Sequence, residues 1–229
     1  MEDTIRFDKI ITQPIESEWL HKNNVQLDVL RLDEMHAIIS GNKWFKLKYY
    51  LSKAAAIKAT AIASFGGAYS NHIVAVAYAC KIAGIKSIGI IRGEQPVVLS
   101  DTLEDARNYG MELHFVSRAF YRDTEIIKQH FDNVYWIEEG GYGVTGAKGA
   151  ADILSFAKNN QAYSHIVCAV GTGTMMAGIV QSAGSDQNII GISTMKKYST
   201  CSMIGTKTNH LKLYMIFILA DMQSTRRSF

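Results

Sequence analysis

Apolar and polar residues alternate along Val25-Gln26-Leu27-Asp28-Val29-Leu30-Arg31-Leu32, the period of two expected of a strand with one buried face. The Ile38-Ile39 pair that follows halts at Ser40-Gly41, a turn signal with freedom for positive φ. From Lys43 the period turns helical, and Phe45, Leu47, Tyr49, Tyr50, Leu51 and Ala54–Ala56 supply a bulky apolar face. Beyond it, short apolar runs at 60–65, 86–91, 111–116, 133–137, 165–170 and 188–193 take turns with helical stretches at 71–83, 101–108, 123–129, 146–158 and 174–182. Gly84 closes the first of those helices, and Asp101 with Glu104 three residues on marks the start of the second. This alternation predicts βαβ units: an α/β protein whose parallel sheets carry helices on both faces. No repeat of fixed period and no low-complexity linker divides the chain.

Chemistry concentrates in three stretches. In Ser40-Gly41-Asn42-Lys43-Trp44-Phe45-Lys46-Leu47, Lys43 stands at the opening of a helix, beside an aromatic residue. A lysine desolvated by apolar neighbours has a depressed pKa and acts as an amine nucleophile toward a carbonyl. The same position also suits an ordinary solvated lysine. In Phe65-Gly66-Gly67-Ala68-Tyr69-Ser70-Asn71-His72, Ser70 lies where a Gly-Gly turn meets a helix N-terminus. The free N–H groups of Ser70, Asn71 and His72 there can hold a carboxylate, and Ser70 equally suits an N-cap. His72, inside an apolar helix face, is expected to be packed rather than to act as a general base. In Val170-Gly171-Thr172-Gly173-Thr174-Met175, the backbone and hydroxyls of Gly171, Thr172, Gly173 and Thr174 open a helix and can cradle a phosphate. Whose phosphate is left open by that geometry. A dinucleotide of the NADP type, with Lys196 and Lys197 meeting a 2′-phosphate, is one alternative, because the next strand ends without an acidic residue for a ribose.

Taken together and in this order, the three stretches resemble the pyridoxal-phosphate enzymes of the 1-aminocyclopropane-1-carboxylate deaminase / D-cysteine desulfhydrase family, from about Gln13 to about Ser193. The resemblance implies the tryptophan-synthase-β-like fold (pyridoxal-phosphate fold type II). That fold has a larger cofactor domain, here 1–56 with 138–195, and a smaller inserted domain, 57–137. It implies pyridoxal 5'-phosphate as cofactor, and Lys43 as the Schiff-base lysine. Asn42 flanks that lysine, and Lys46 and the Gly171–Thr174 loop hold the phosphate. Ser70 becomes the nucleophile or substrate contact, Asn71 the partner of the cofactor's ring hydroxyl, and Glu139-Gly140-Gly141 a loop bordering the site. Relatives usually carry a hydroxyl residue where Met175 stands, so one hydrogen bond to the cofactor is expected to be missing. The implied reaction releases ammonia and a keto acid from a small amino acid, in a homodimer where the chain is intact. Residues that choose the substrate, stack on the cofactor ring and meet its pyridine nitrogen lie further along in the family. No matching motif follows Ser193.

Composition narrows the classes rather than choosing among them. Hydrophobic content of 48% with 20% charged residues suits a globular chain large enough for a sizeable core. The net charge of +3 is uneven: 196–229 holds six of the 24 Lys/Arg residues and one of the 21 Asp/Glu. No basic stripe interleaved with aromatics runs through the rest, which speaks against nucleic acid as a partner. Three cysteines without a C-x-x-C pair, and no metal-ligand spacing, suit buried thiols in a reducing, cytoplasmic setting. The N-terminus reads as lacking a secretion signal, and the longest apolar run, Leu213 to Ala220, is too short to span a bilayer. The segment 196–229 reads as the product of a truncation or frameshift, which would leave a non-functional remnant as a further possibility. On that reading the strand at 188–193 has a bare edge, with Leu213 to Ala220 as an apolar neighbour. The alternative is that the segment supplies a substitute strand.

Overall fold

A computed structural model describes residues 5–193, 202–204 and 213–218. In chain order its elements are β1 (Thr12–Ile15), α1 (Glu18–Lys22), β2 (Val25–Leu30), α2 (Asn42–Ala56), β3 (Ala61–Gly66), α3 (Asn71–Ala83), β4 (Lys86–Arg92), α4 (Asp101–Asn108) and β5 (Met111–Val116). Then follow α5 (Thr124–Lys128), β6 (Val134–Ile137), α6 (Val144–Ala151), β7 (His165–Val170), α7 (Thr174–Ser182), β8 (Asn188–Ser193), β9 (Ser202–Ile204) and β10 (Leu213–Ile218). The chain forms two compact units, one of Met1–Lys46 with Gly146–Phe229 and one of Leu47–Thr145. Sequence alone put the joins near 56/57 and 137/138. The difference lies in α2 and the loop before α6. Tyr50 Oη donates to Tyr142 O at 2.8 Å, and Lys53 Nζ donates to Thr145 Oγ1 at 2.7 Å, so both segments belong with the inserted unit.

The inserted unit is a four-stranded, wholly parallel sheet in the order β5-β4-β3-β6. All six residues of β3 are buried, as the continuous Ala-Ile-Ala-Ser-Phe-Gly run of a central parallel strand requires. Phe65, Ile90, Tyr121 and Ile127 form one cluster of its core. Gly84 ends α3 in the left-handed conformation with φ 67°, as expected of its position. Helix α4 is capped one residue earlier than Asp101 suggested: the Ser100 side chain accepts from Leu103 N at 3.3 Å.

The other unit carries a six-stranded mixed sheet in the order β1-β2-β10-β7-β8-β9. Its core joins Leu30, Leu32, Met35 and Phe45 to Ile153, Ile166, Met175, Ile179 and neighbours. Strand β1, which the sequence pattern did not reveal, runs antiparallel to β2 and tolerates Pro14 because it is an edge. Where one helix was expected over 146–158, α6 ends at Ala151 and a 3-10 segment, Asp152–Phe156, buries the adjacent pair Ile153 and Leu154.

The bare edge beside 188–193 is corrected. Strand β9 pairs antiparallel with β8 through Ile189↔Ile204, Ile190↔Met203 and Gly191↔Ser202. Strand β10 lies in the middle of the sheet, parallel to β2 and to β7, with Ile216 opposite Asp28 and Ile166. A six-residue apolar run without charge suits a strand flanked on both sides, and an inner position gives backbone groups on both of its edges a partner. Expectations placed on Lys196, Lys197, Cys201 and 219–229 lie outside the described residues. No helix among the described residues is long and apolar enough to cross a membrane.

Candidate active site

The sequence-predicted residues fall into two groups, one in each unit. In the mixed-sheet unit, the turn before α2 is held by a residue that the sequence did not flag. His36 Nδ1 accepts from Ile38 N at 2.9 Å and from Ile39 N at 3.1 Å, and Gly41 N donates to Leu32 O at 3.0 Å. Gly41, at φ 62°, reverses the chain into the first turn of α2, as its flexibility suggested. That turn presents Asn42, Lys43 and Trp44, with Lys46 one turn on.

Lys43 is half-buried, whereas Lys46 is only 7% exposed. Burial, and then the nearby charge of Lys43, push the Lys46 ammonium down to about 7. Sequence reasoning assigned the desolvated amine to Lys43; the packing buries Lys46 more deeply. Asn42 Nδ2 donates to Met175 Sδ at 3.1 Å, so a sulfur fills the place where a hydroxyl was expected. Met175 belongs to the core, and a threonine there would leave a cavity as well as an oxygen. Asn42 Oδ1 and Trp44 Nε1 are buried without a hydrogen-bond partner among the described residues. Each such group costs about 1–3 kcal/mol, so polar matter is expected against this turn.

The Gly171–Thr174 loop lies in the same unit, at the carboxyl end of β7. Gly173 caps α7 with φ 80°, a conformation open to glycine, and offers no side-chain acceptor to the helix. Thr172 Oγ1 and Thr174 Oγ1 are 3.0 Å apart. The first N–H groups of α7 are therefore available to an anion, with hydroxyls beside them. A phosphate on this loop, and a ring with a polar substituent near Asn42, fit the residues present.

The depressed Lys46 has a consequence for stability. Its folded-state value lies below the unfolded 10.5, so the folded chain carries the full penalty of a buried charge below about pH 7. The penalty shrinks between pH 7 and 10.5, where the unfolded chain binds the extra proton, and is gone above that window. Lys46→Met is accordingly expected to raise the melting temperature of the cofactor-free protein more at pH 6 than at pH 9, while weakening phosphate-bearing ligands. Melting curves at the two pH values check the sign.

The parallel-sheet unit holds Ser70, Asn71 and His72 at the start of α3. Ser70 is the N-cap, its Oγ accepting from Ile73 N at 3.4 Å and its N–H donating to Gly67 O at 3.1 Å. The turn before it is fastened by Ser100, whose Oγ donates to Ala68 O. His72 is buried with its ring against β3: Nε2 lies 2.9 Å from Ser64 Oγ, which donates its proton to Ile137 O at 2.8 Å. A hydroxyl that has spent its proton can only accept from the ring, so His72 carries hydrogen on Nε2. The imidazole thereby ties the α3 start to β3 and, through Ser64, to the end of β6. Ser64 and Ser100, missed in the sequence, bind residues far from themselves along the chain.

Gly66 is needed for this arrangement. A Cβ there would stand 2.4 Å from Ile73 Cγ1 and 2.9 Å from Ser70 Oγ. Gly66→Ala is therefore expected to displace the Ser70 cap, costing about 1–3 kcal/mol as an overpacked site does. Urea unfolding followed by far-ultraviolet dichroism measures it.

The strand order adds a general reason to look here. The order in which strands are added reverses at β3, with β4 and β5 on one side and β6 on the other, and ligands of such parallel sheets bind at the carboxyl ends of the strands where the order reverses. Those ends lead into the Gly66–Ser70 turn and into the 3-10 segment Glu139–Gly141. Among the described residues no group of three or more His, Cys, Asp or Glu is placed to hold a metal. Burial pushes the Cys80 thiol up to about 12 and that of Cys168 up to about 11, leaving both inert.

Comparison with known proteins agrees with these features. The family described as pyridoxal-phosphate dependent enzyme matches residues 10–210. A putative 1-aminocyclopropane-1-carboxylate deaminase of Thermotoga maritima is 35% identical over 169 residues, covering 69% of this chain and 54% of that protein. A bifunctional D-cysteine desulfhydrase/1-aminocyclopropane-1-carboxylate deaminase of Arabidopsis thaliana, a mitochondrial protein, is 28% identical over 180 residues, covering 69% and 45%. The crystal structure of an ACC deaminase homologue shares the fold, with a TM-score of 0.62 at 23% identity, over 76% of this chain and 56% of that one. The chain thus spans about half the length of the curated relatives it matches.

Proposed function

Because the chain belongs to the pyridoxal-phosphate dependent enzyme family, we propose that it serves a deaminase or desulfhydrase reaction on a small amino acid, 1-aminocyclopropane-1-carboxylate or D-cysteine, releasing ammonia and a keto acid, with hydrogen sulfide as well from D-cysteine. The observation that carries the reading is the first turn of α2, where Lys43 stands between two buried polar groups without partners, one turn from a desolvated lysine. The family match displaces the NADP alternative for the glycine loop.

In this reading the N–H groups at the start of α7, with Thr172 and Thr174, hold the cofactor's phosphate, and Lys46 adds charge below about pH 7. Asn42 Oδ1 accepts from a polar substituent of the bound group. The bound cofactor supplies an electron sink for charge developing at the substrate's α-carbon. Lys43 Nζ moves protons at the substrate's carbons, a role for which a half-buried amine on a fixed helix turn is suited. It takes the α-proton of D-cysteine, whereas 1-aminocyclopropane-1-carboxylate has no α-proton and its ring opening calls for proton transfer at a ring methylene. Within the parallel-sheet unit, the N–H groups of Asn71 and His72 suit a carboxylate, and Ser70 Oγ, once released from Ile73 N, suits a polar group of the same ligand. Asn71 is assigned to the cofactor's ring hydroxyl.

Incubation of the full chain with pyridoxal phosphate, followed by keto-acid assays with each amino acid, tests the proposal. Release from neither substrate would overturn the choice of reaction, while cofactor capture at Lys43 would still stand on its own.

A further inference from the structure

Arg92 closes β4 at the carboxyl edge of the parallel sheet, in line with the turn that leads to Ser70. Gly66 is opposite Ile91 in the β3–β4 register, so Arg92 comes level with Gly67. Its Nη2 lies 3.6 Å from where a Cβ on Gly67 would be, an ordinary contact distance. The guanidinium is exposed, and no carboxylate among the described residues pairs with it. It is not loose, however: its Cζ sits 5.6 Å from the centre of the Tyr121 ring. Tyr121 is itself fixed by an edge-on contact with Phe65, 5.9 Å between centroids, and by donating to Glu139 Oε2 at 3.2 Å. Burial, then Glu139, push the phenol's pKa up, so the ring keeps its proton and its place.

A guanidinium within reach of an aromatic face, here 5.6 Å from the ring centre, is restricted in where it can swing, and its fork can meet two oxygens at once. Here it stands beside a turn whose following N–H groups also favour negative charge. We propose that Arg92 is a specificity-determining residue of the parallel-sheet unit, a second anchor that selects ligands carrying a free carboxylate. This inference rests on the proposed function only in taking the Gly66–Ser70 turn as the substrate side. Glu139 limits the choice further. Its Oε2 accepts from Tyr121 beside the guanidinium, so a ligand with a second negative charge near the ring meets repulsion, and a monocarboxylate is favoured.

The test uses the cofactor-free full chain and calorimetric titration with 1-aminocyclopropane-1-carboxylate and with its carboxamide, which keeps the ammonium and lacks the carboxylate. Wild-type protein is expected to bind the acid and not the amide. Arg92→Gln should weaken the acid roughly 10–100-fold, the range for a lost hydrogen bond to a charged group, and leave the amide unchanged. Arg92→Lys, which keeps the charge without the fork, should fall between. Because Arg92 is exposed, far-ultraviolet dichroism of both variants should match wild type. Equal affinity of wild type and Arg92→Gln for the acid, or equal binding of acid and amide, overturns the proposal. Since no cofactor is present, either failure is separate from that of Lys43 to take up pyridoxal phosphate.

Discussion

Lys43→Ala is expected to remove the covalent label that borohydride leaves on the protein loaded with pyridoxal phosphate, and to lower turnover by about 10²–10⁴-fold, the range for a positioned proton-transfer group. The outcome is not a foregone one, because Lys46 competes. Its ammonium is pushed down to about 7, so near neutrality it supplies far more free amine than an ordinary lysine. Access decides against it: Lys46 is 7% exposed, whereas Lys43 opens the helix and is half-buried. Lys46→Ala is accordingly expected to keep the label while weakening cofactor affinity. Lys43→Ala should also let the Lys46 value rise, since a like charge beside it is gone. Peptide mapping of the reduced protein decides the matter. Label on a lysine other than Lys43 would falsify the assignment.

Ile216→Pro is expected to have the largest effect on stability. Ile216 lies in β10 between β2 and β7, so proline there removes a ladder donor in an inner strand and forces the chain off the β backbone. The cost is about 2–4 kcal/mol, a large share of the stability of a typical domain. Effects should be confined to the unit that contains β10. Calorimetry is expected to show an early transition for the mixed-sheet unit, followed by a later one for Leu47–Thr145. A single transition shifted as a whole would mean that the two units melt together.

Much of the fold was legible because it is written locally. Helix α3 runs from the Ser70 cap to the Gly84 stop, and strands at 111–116, 165–170 and 188–193 begin and end where their apolar runs do. The chemistry-bearing stretches were legible for the same reason, since each is a turn followed by a helix. What stayed hidden depends on partners distant in sequence. Burial of Lys46 rather than Lys43 follows from how α2 packs, which spacing alone does not set. Ser64 was an anonymous serine in an apolar strand until His72 and Ile137 met it. Arg92 stands in the sequence as the polar end of an apolar run, and its approach to Tyr121 depends on a residue far along the chain. Met175 was legible as a departure from relatives, but not as the sulfur that receives Asn42. Strand β10 is legible as an apolar run, but the sequence reading sets it beside 188–193 rather than between β2 and β7, because its neighbours come from earlier in the chain.

That placement matters while the protein is being synthesised. Leu47–Thr145 is a single contiguous stretch and leaves the ribosome with every strand of its own sheet. The other unit cannot close at that stage, because β10 must enter between β2 and β7 and emerges after every other described element. At typical synthesis speeds the gap between the emergence of β7 and that of β10 is roughly 2–10 s. Throughout it, β2 and β7 each present an edge to any nascent neighbour or chaperone. Yield in cells is then governed by the length of this wait, so slowed translation across 171–212 should lower it and holdase chaperones should restore it.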